Sequence, residues 1–473
     1  MASLATVNTQ NLSNSITDQS FTVNVGTLDG PGFSKFAKRV ENVKKGDIPS
    51  FIEQESKEKP IYQVCIKGGK CPKDENPVKL SFLLDISGSM SQPAGNNQSK
   101  IDVAKKCMKT ICDKFMIKGD TLSIDTFGNT ASTVCEEKEV TKENKKEIVD
   151  KIQGIRTNGM TNMSCALIPL IANFNNHAIG INDVTPTLIV FSDGAINQGI
   201  LQDDLLKTLE KMGVANVSVY VVGIGEGVDE VFLTKLSNVC NNGTFFHSEK
   251  GDEDSMATII GTIMGGERGV VGRDIVIDIK KTHSEYLNQT LTPIYNGPFQ
   301  VTNNDDGIVL KLSDLQEEET KSFFFTSDGG NMAYTFKGID INSGTLVQSE
   351  ERDIGTDKLL DCTEWFNLKM ADCIDVLMEV FENDLAEGKE KAETIVAYID
   401  EFAKKYTVNA ESVAAMREKI ETLVNTKSEH EFHKYTSKTM RATSNQLKRA
   451  RSHNTGSARK MSRRDAFRGG VLD

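Results

Sequence analysis

The sequence predicts a doubly wound α/β domain set into an antiparallel β-sandwich and followed by a helical segment. Three observations lead there. Between residues 78 and 266, near-continuous apolar runs alternate with stretches of helical period, as in a parallel sheet covered on both faces. Short alternating runs broken by Gly, Asn and Asp follow, which suits an antiparallel sandwich. From Thr363 the apolar period becomes helical.

A chain of 473 residues exceeds one ordinary core, so several domains are expected. Its 38% apolar and 26% charged content are those of a globular protein, and no apolar run reaches the length of about 18 residues that spans a membrane. The start, MASLATVNTQNLSNS, lacks the basic and apolar regions of a secretion signal, so a cytoplasmic protein is expected. Nine scattered cysteines without C-x-x-C pairs read as reduced thiols, which leaves the N-x-S/T sequences at Asn162 and Asn242 without glycosylation meaning. The formal charge of −12 is unevenly divided. Residues 434–473 carry eleven Lys or Arg against two Asp, a net +9, and the remainder carries −21.

In chain order, residues 1–20 are polar, lack apolar period and read as a disordered leader. Residues 21–77 contain the strand-like runs FTVNV and IYQVCIKG. In residues 78–266, SFLLDI is a strand and SKIDVAKKCMKTICDKF places Ile101, Ala104, Met108, Ile111, Cys112 and Phe115 on one helical face. DTLSIDTFG, PTLIVFSDG and VSVYVVGIG read as further strands, with helices near 142–152, 163–175, 203–212 and 254–264. Residues 267–362 supply DIVIDIK, YNGPFQV, GIVLKL, TKSFFFTS and MAYTFKGIDI. These are too few strands for a closed sandwich, so the strands before residue 68 are expected to join them across the inserted domain. Residues 363–433 form about three helices. Ala392, Ile395, Val396, Ile399, Phe402, Ala403 and Tyr406 make one apolar stripe, and Asn409 with Glu411 starts the last helix. Residues 434–473 read as a basic disordered tail.

The chemistry concentrates at the end of the first α/β strand. Asp85, Ser87 and Ser89 have D-x-S-x-S spacing, which lets one loop present three oxygens to a hard cation such as Mg2+ or Mn2+. The loop leaves a carboxyl strand end, where ligands of such sheets bind. It resembles the metal-ion-dependent adhesion site of von Willebrand factor A domains. The resemblance implies two further ligands, Thr161 in GIRTNGMTNMSCAL and Asp193 in FSDGAINQG, and all five residues are present. Two carboxylates balance a divalent charge while hydroxyls add neutral oxygens, so the centre stays electrophilic toward an acidic side chain of a protein partner. Gly88 and Gly194 are expected to supply backbone angles that other residues avoid.

Beyond residue 266 the order of strands and helices is similar to plant A-domain ubiquitin ligases in which a sandwich and helices interlock. The spaced Cys/His set of a RING finger is missing, so ligase activity does not carry over. The six histidines form no H-x-x-x-H or H-E-x-x-H pair, and Ser89 has no evident His/Asp partners. A non-enzymatic, metal-dependent interaction or scaffold protein is therefore expected, with a structural component of a large assembly as the alternative. In the tail, Arg449, Arg451, Arg459, Lys460, Arg463, Arg464 and Arg468 read first as a solvated basic segment, next as a contact for an acidic protein and last as a nucleic-acid contact, with nuclear import or an anionic membrane as further readings.

Overall fold

The computed structural model describes residues 20–28, 61–71, 76–95, 98–176, 183–248, 251, 253–282, 291–295, 299–327, 331–354, 358–359, 362–405 and 408–426, with 428, 432, 440 and 443 singly. The basic residues assigned to the tail, and residues 1–19 of the leader, lie outside these. The described residues divide into two compact units: those within Lys70–Val270 form one, and those up to Gly69 and after Val270 form the other.

The first strands, β1 (Phe21–Leu28) and β2 (Ile61–Gly68), pair antiparallel. The chain then enters the α/β unit through β3 (Lys79–Asp85), the hairpin β4 (Pro93–Gly95) and β5 (Gln98–Ser99), and α1 (Lys100–Thr110). Next come β6 (Thr121–Phe127), β7 (Ala131–Glu139), α2 (Lys145–Gly154), α3 (Ser164–Asn176) and β8 (Pro186–Phe191). The unit closes with α4 (Gln202–Met212), β9 (Val214–Ile224), α5 (Glu230–Val239), β10 (Cys240–Ser248) and α6 (Glu253–Arg268).

The α/β sheet has the order β10-β9-β8-β3-β6-β7. Every residue of β3 after Lys79 is buried, as is all of β8, so these central strands have no solvent-facing side and read as near-continuous apolar runs. Phe82 and Phe191 pack across them with ring centroids 6.2 Å apart. One edge departs from the expected parallel arrangement: β7 runs antiparallel to β6. Its sequence, ASTVCEEKE, is largely exposed and polar, so it carries no apolar run to announce a strand. The order reverses at β3, whose neighbours are β6 and β8, and this opens a crevice at the carboxyl ends of β3 and β8.

A buried ion pair fastens the two ends of this unit. Arg268, the last residue of α6, donates to both carboxylate oxygens of Asp120 at 2.5 and 3.1 Å, and to the carbonyls of Asn76 at 2.7 Å and Phe115 at 2.6 Å. Asp120 also accepts the amides of Val78 and Ile117 at 2.8 and 2.7 Å. Both oxygens of Asp120 and both terminal nitrogens of Arg268 are thus hydrogen-bonded and only the buried Arg268 Nε lacks a partner, so most of the cost of burying the pair is offset.

The other unit continues with β11 (Val270–Lys281), β12 (Leu291–Tyr295), β13 (Gln300–Asn303), β14 (Gly307–Gln316), β15 (Thr320–Ser327) and β16 (Met332–Asp340). The short β17 (Thr345–Gln348), β18 (Arg352–Asp353) and β19 (Lys358–Leu359) end the strand region. Two sheets result, β12-β15-β2-β1-β19 and β13-β14-β11-β16-β17. Across the insertion β2 lies antiparallel to β15, with Lys67 opposite Thr320 and Ile61 opposite Thr326. The β1–β19 pair is parallel, unlike the rest of this sheet. YNGPFQV is two elements, since Tyr295 ends β12 and the next strand begins at Gln300.

The three phenylalanines of β15 explain why both faces of the first sheet are covered. Phe323 packs on Phe299 and Phe325 stacks on Tyr62, with centroids 6.1 and 5.1 Å apart. Phe324 points to the opposite face and meets Trp365 edge-on at 4.9 Å. Trp365 belongs to α7 (Thr363–Asn383), which packs with α8 (Leu385–Lys405) and α9 (Ala410–Val424) in one cluster. Asn409 caps α9 by accepting the Ser412 amide at 3.1 Å. Ala403 is exposed and so falls off the predicted stripe, while Tyr406 is outside the described residues. Ser20 departs from the leader reading, because its amide and hydroxyl both donate to buried Asp340 at 2.8 and 2.9 Å.

Candidate metal centre

Asp85 is the last residue of β3, and the loop after it turns through one 3-10 turn, Gly88–Ser91. Asp85 is fully buried, as are Ser87, Thr161 and Asp193 at 1% exposure each, and Ser89 is half-buried. Asp85 Oδ1 accepts the Ser87 amide at 2.8 Å, and Oδ2 accepts the Ser192 hydroxyl at 2.8 Å. The Gly194 amide donates to that same hydroxyl at 3.0 Å, which fixes Ser192 and, through it, the carboxylate. Burial pushes the Asp85 carboxyl up to about 6; the Ser87 and Ser192 hydrogen bonds pull it back, and the Asp193 charge adds to the rise. Two acidic groups are therefore held together in a low-dielectric setting that favours a counter-charge.

The second loop is tied to the first through its backbone, and the third to the second. Gly88 N–H donates to the Gly159 carbonyl at 3.1 Å, and Asn158 N–H to the Ile86 carbonyl at 2.6 Å. The Thr161 amide donates to Asn197 Oδ1 at 2.8 Å, and the Thr161 carbonyl accepts from Asn197 and Gln198, both at 3.2 Å. Behind Asp193, its carbonyl accepts the Asp229 amide at 2.7 Å. Gly194 takes φ +79 as expected, but Gly88 does not have a positive φ. The left-handed position in this part of the site is Gly159, at φ +81, where a Cβ would come within 2.7 Å of Asn129 Oδ1.

Two of the five candidate oxygens have the spacing that a small hard cation requires. Ser87 Oγ and Ser89 Oγ lie 3.1 Å apart. Adjacent ligands of an octahedral magnesium shell, with bonds of about 2.1 Å, are separated by about 3.0 Å. Two carboxylates and three hydroxyls make an all-oxygen candidate set, the donor character that suits magnesium or manganese.

One member of the site escaped the sequence reading. Lys100, the first residue of α1, is 1% exposed, and its ammonium lies 2.9 Å from Asp193 Oδ2. A cation at a helix N-terminus opposes the helix dipole, and a lysine is seldom buried without a partner. That local conflict, at the head of an otherwise regular amphipathic helix, was the available signal. Ser192 and Asn197, which position Asp85 and Thr161, offered none, since polar residues in loops are commonplace.

Fold and loops together define a class: the chain carries a von Willebrand factor type A domain, and residues 80–261 match the sequence model of that family. Among curated proteins it is similar to inter-alpha-trypsin inhibitor heavy chain H2 of Sus scrofa, with 30% identity over 172 residues, and to that of Homo sapiens, with 28% identity over the same length. The match covers 35% of this chain, and the chain spans only 17% of the length of these relatives. Among solved structures, a von Willebrand factor type A protein from Catenulispora acidiphila superposes with a TM-score of 0.58 at 12% identity, over 88% of this chain and 92% of that one. The ArnB paralog VWA2 from Sulfolobus acidocaldarius gives 0.53 at 13% identity, over 92% and 99%. At such identities the likeness is one of fold. Domains of this family commonly bind protein partners and a divalent metal. Among the described residues no helix is long and apolar enough to cross a membrane.

Proposed function

We propose that this protein is a non-enzymatic interaction protein that holds Mg2+ through Asp85, Ser87, Ser89, Thr161 and Asp193 and uses it to bind an acidic side chain of a protein partner. The single observation that carries the reading is the convergence of three backbone-linked loops, two of them at the carboxyl ends of β3 and β8, on two buried carboxylates and a hydroxyl pair 3.1 Å apart. When bound, the cation supplies a Lewis-acidic point for an anionic ligand. The chain's own residues do the rest: Ser192 and the Ser87 amide orient Asp85, Asn197 orients Thr161, and Lys100 neutralises part of the Asp193 charge.

In this reading the protein works in a reducing, intracellular compartment. Support comes from the free thiols of Cys107, Cys112, Cys135 and Cys165. Calorimetric titration of the full chain with MgCl2, repeated on Asp85→Ala, tests the proposal. Saturable binding lost in the variant is expected, and equal heats for the two proteins would refute it.

A further inference from the structure

Six large apolar side chains stand well exposed among the described residues, and four of them belong to the loops that carry Thr161 and Asp193 or to the helix bonded to the latter. Met160 is 48% exposed, Ile200 37%, Leu201 54% and Val231 40%. Of the other two, Val184 precedes β8 at its amino end, and Leu346 lies on β17 in the other unit.

Hydrogen bonds link the segments that carry the four. Met160 immediately precedes Thr161, whose carbonyl holds the amides of Asn197 and Gln198. The Ile200 amide donates to Ser164 Oγ at 3.1 Å, which keeps this turn against the start of α3. Gln202, next to Leu201, donates through Nε2 to Asp229 Oδ2 at 3.2 Å and to the Gly194 carbonyl at 3.4 Å. Asp229 in turn is bound to the Asp193 carbonyl and lies two residues before Val231. An unbroken set of contacts therefore runs from Met160 past the two later loops to Val231.

Scattered surface hydrophobes need no explanation, but a group of them beside a charged centre marks a contact surface. Binding sites of this kind join an apolar contact area to a few polar anchors. We infer that the rim formed by Met160, Ile200, Leu201 and Val231 selects a protein segment in which the metal-binding Asp or Glu is flanked within two positions by a large apolar residue. The inference rests on the metal reading above and adds a specificity to it. Charge complementarity fixes the acid at the cation, and the rim supplies the apolar cover that an isolated carboxylate cannot use.

Selection of a displayed library of random peptides on the full chain, in MgCl2 and in EDTA, tests this. Magnesium-dependent enrichment of acidic residues with apolar neighbours is expected. The best peptide, made synthetically, should bind Leu201→Ser and Val231→Ser about tenfold more weakly or worse, the loss expected when one apolar contact is removed. Magnesium affinity itself should not change in these variants, because neither residue supplies a candidate metal ligand. Enrichment of acidic peptides regardless of their neighbours, or unchanged affinity in both variants, overturns the inference and leaves the metal reading standing. Enrichment that ignores magnesium, or none at all, overturns both.

Discussion

The ammonium of Lys100 lies 2.9 Å from Asp193 Oδ2, with side-chain exposures of 1% and 2%. In the proposed metal centre the lysine and the cation would share this one carboxylate. Replacing Lys100 by Met leaves Asp193 buried and uncompensated, which is expected to cost the metal-free protein about 3–5 kcal/mol. Magnesium then restores the missing counter-charge. Thermal melts should accordingly show a larger Mg2+-induced stabilisation in Lys100→Met than in the native chain, and equal shifts would show that the ammonium does not share the metal's role.

Ser192 contributes through Asp85, whose Oδ2 it holds at 2.8 Å. Removal of such an orienting hydrogen bond typically weakens metal binding about 10–100-fold. Ser192→Ala should do so in calorimetry while leaving the circular dichroism spectrum unchanged. Native affinity in this variant would show that the Ser87 amide alone suffices to aim Asp85.

At the opposite end of the unit, Asp120→Ala strands the Arg268 guanidinium beside the carbonyls of Asn76 and Phe115. The expected loss is about 3–5 kcal/mol, because a buried charge is left without its partner. Urea unfolding monitored by the backbone signal measures it, and a loss under about 1 kcal/mol would mean that water reaches the arginine as it does in exposed pairs.

Burial pushes the Cys107 and Cys112 thiols up to about 12. A raised thiol value means that the reactive thiolate is scarce at every pH below it. Native protein treated with iodoacetamide between about pH 7 and pH 9 should therefore leave both unmodified, whereas unfolded protein should label fully. Peptide mass spectrometry distinguishes the cases, and native labelling that climbs with pH in this range would contradict the packing around α1.

Much of the fold was legible because its central elements have a single physical cause. Buried β3 and β8 must be largely apolar, and TKSFFFTS is apolar on both faces because Phe323 and Phe324 pack in opposite directions. Edge elements were harder to see. Polar β7 and the short β17 carry no period that distinguishes a strand from a loop, and α5 was also missed. At the site, spacing pointed to Asp85, Ser87 and Ser89, and the family resemblance supplied Thr161 and Asp193. Lys100 left only a weak local sign, a cation at a helix start, because the partner that explains it is 93 residues away in sequence.

The pairing of β2 with β15 also sets a timetable for synthesis. Ile61–Gly68 leaves the ribosome well before Thr320–Ser327, with the whole α/β unit in between. About 250 residues separate the two strands, which at about 5–20 residues per second is on the order of 10–50 s. Throughout that interval one edge of β2 lacks its native neighbour, and an unpaired edge invites the wrong strand. The nascent chain at this stage is a natural client for a chaperone, and slowing translation within the insertion should lengthen its exposure to misassembly.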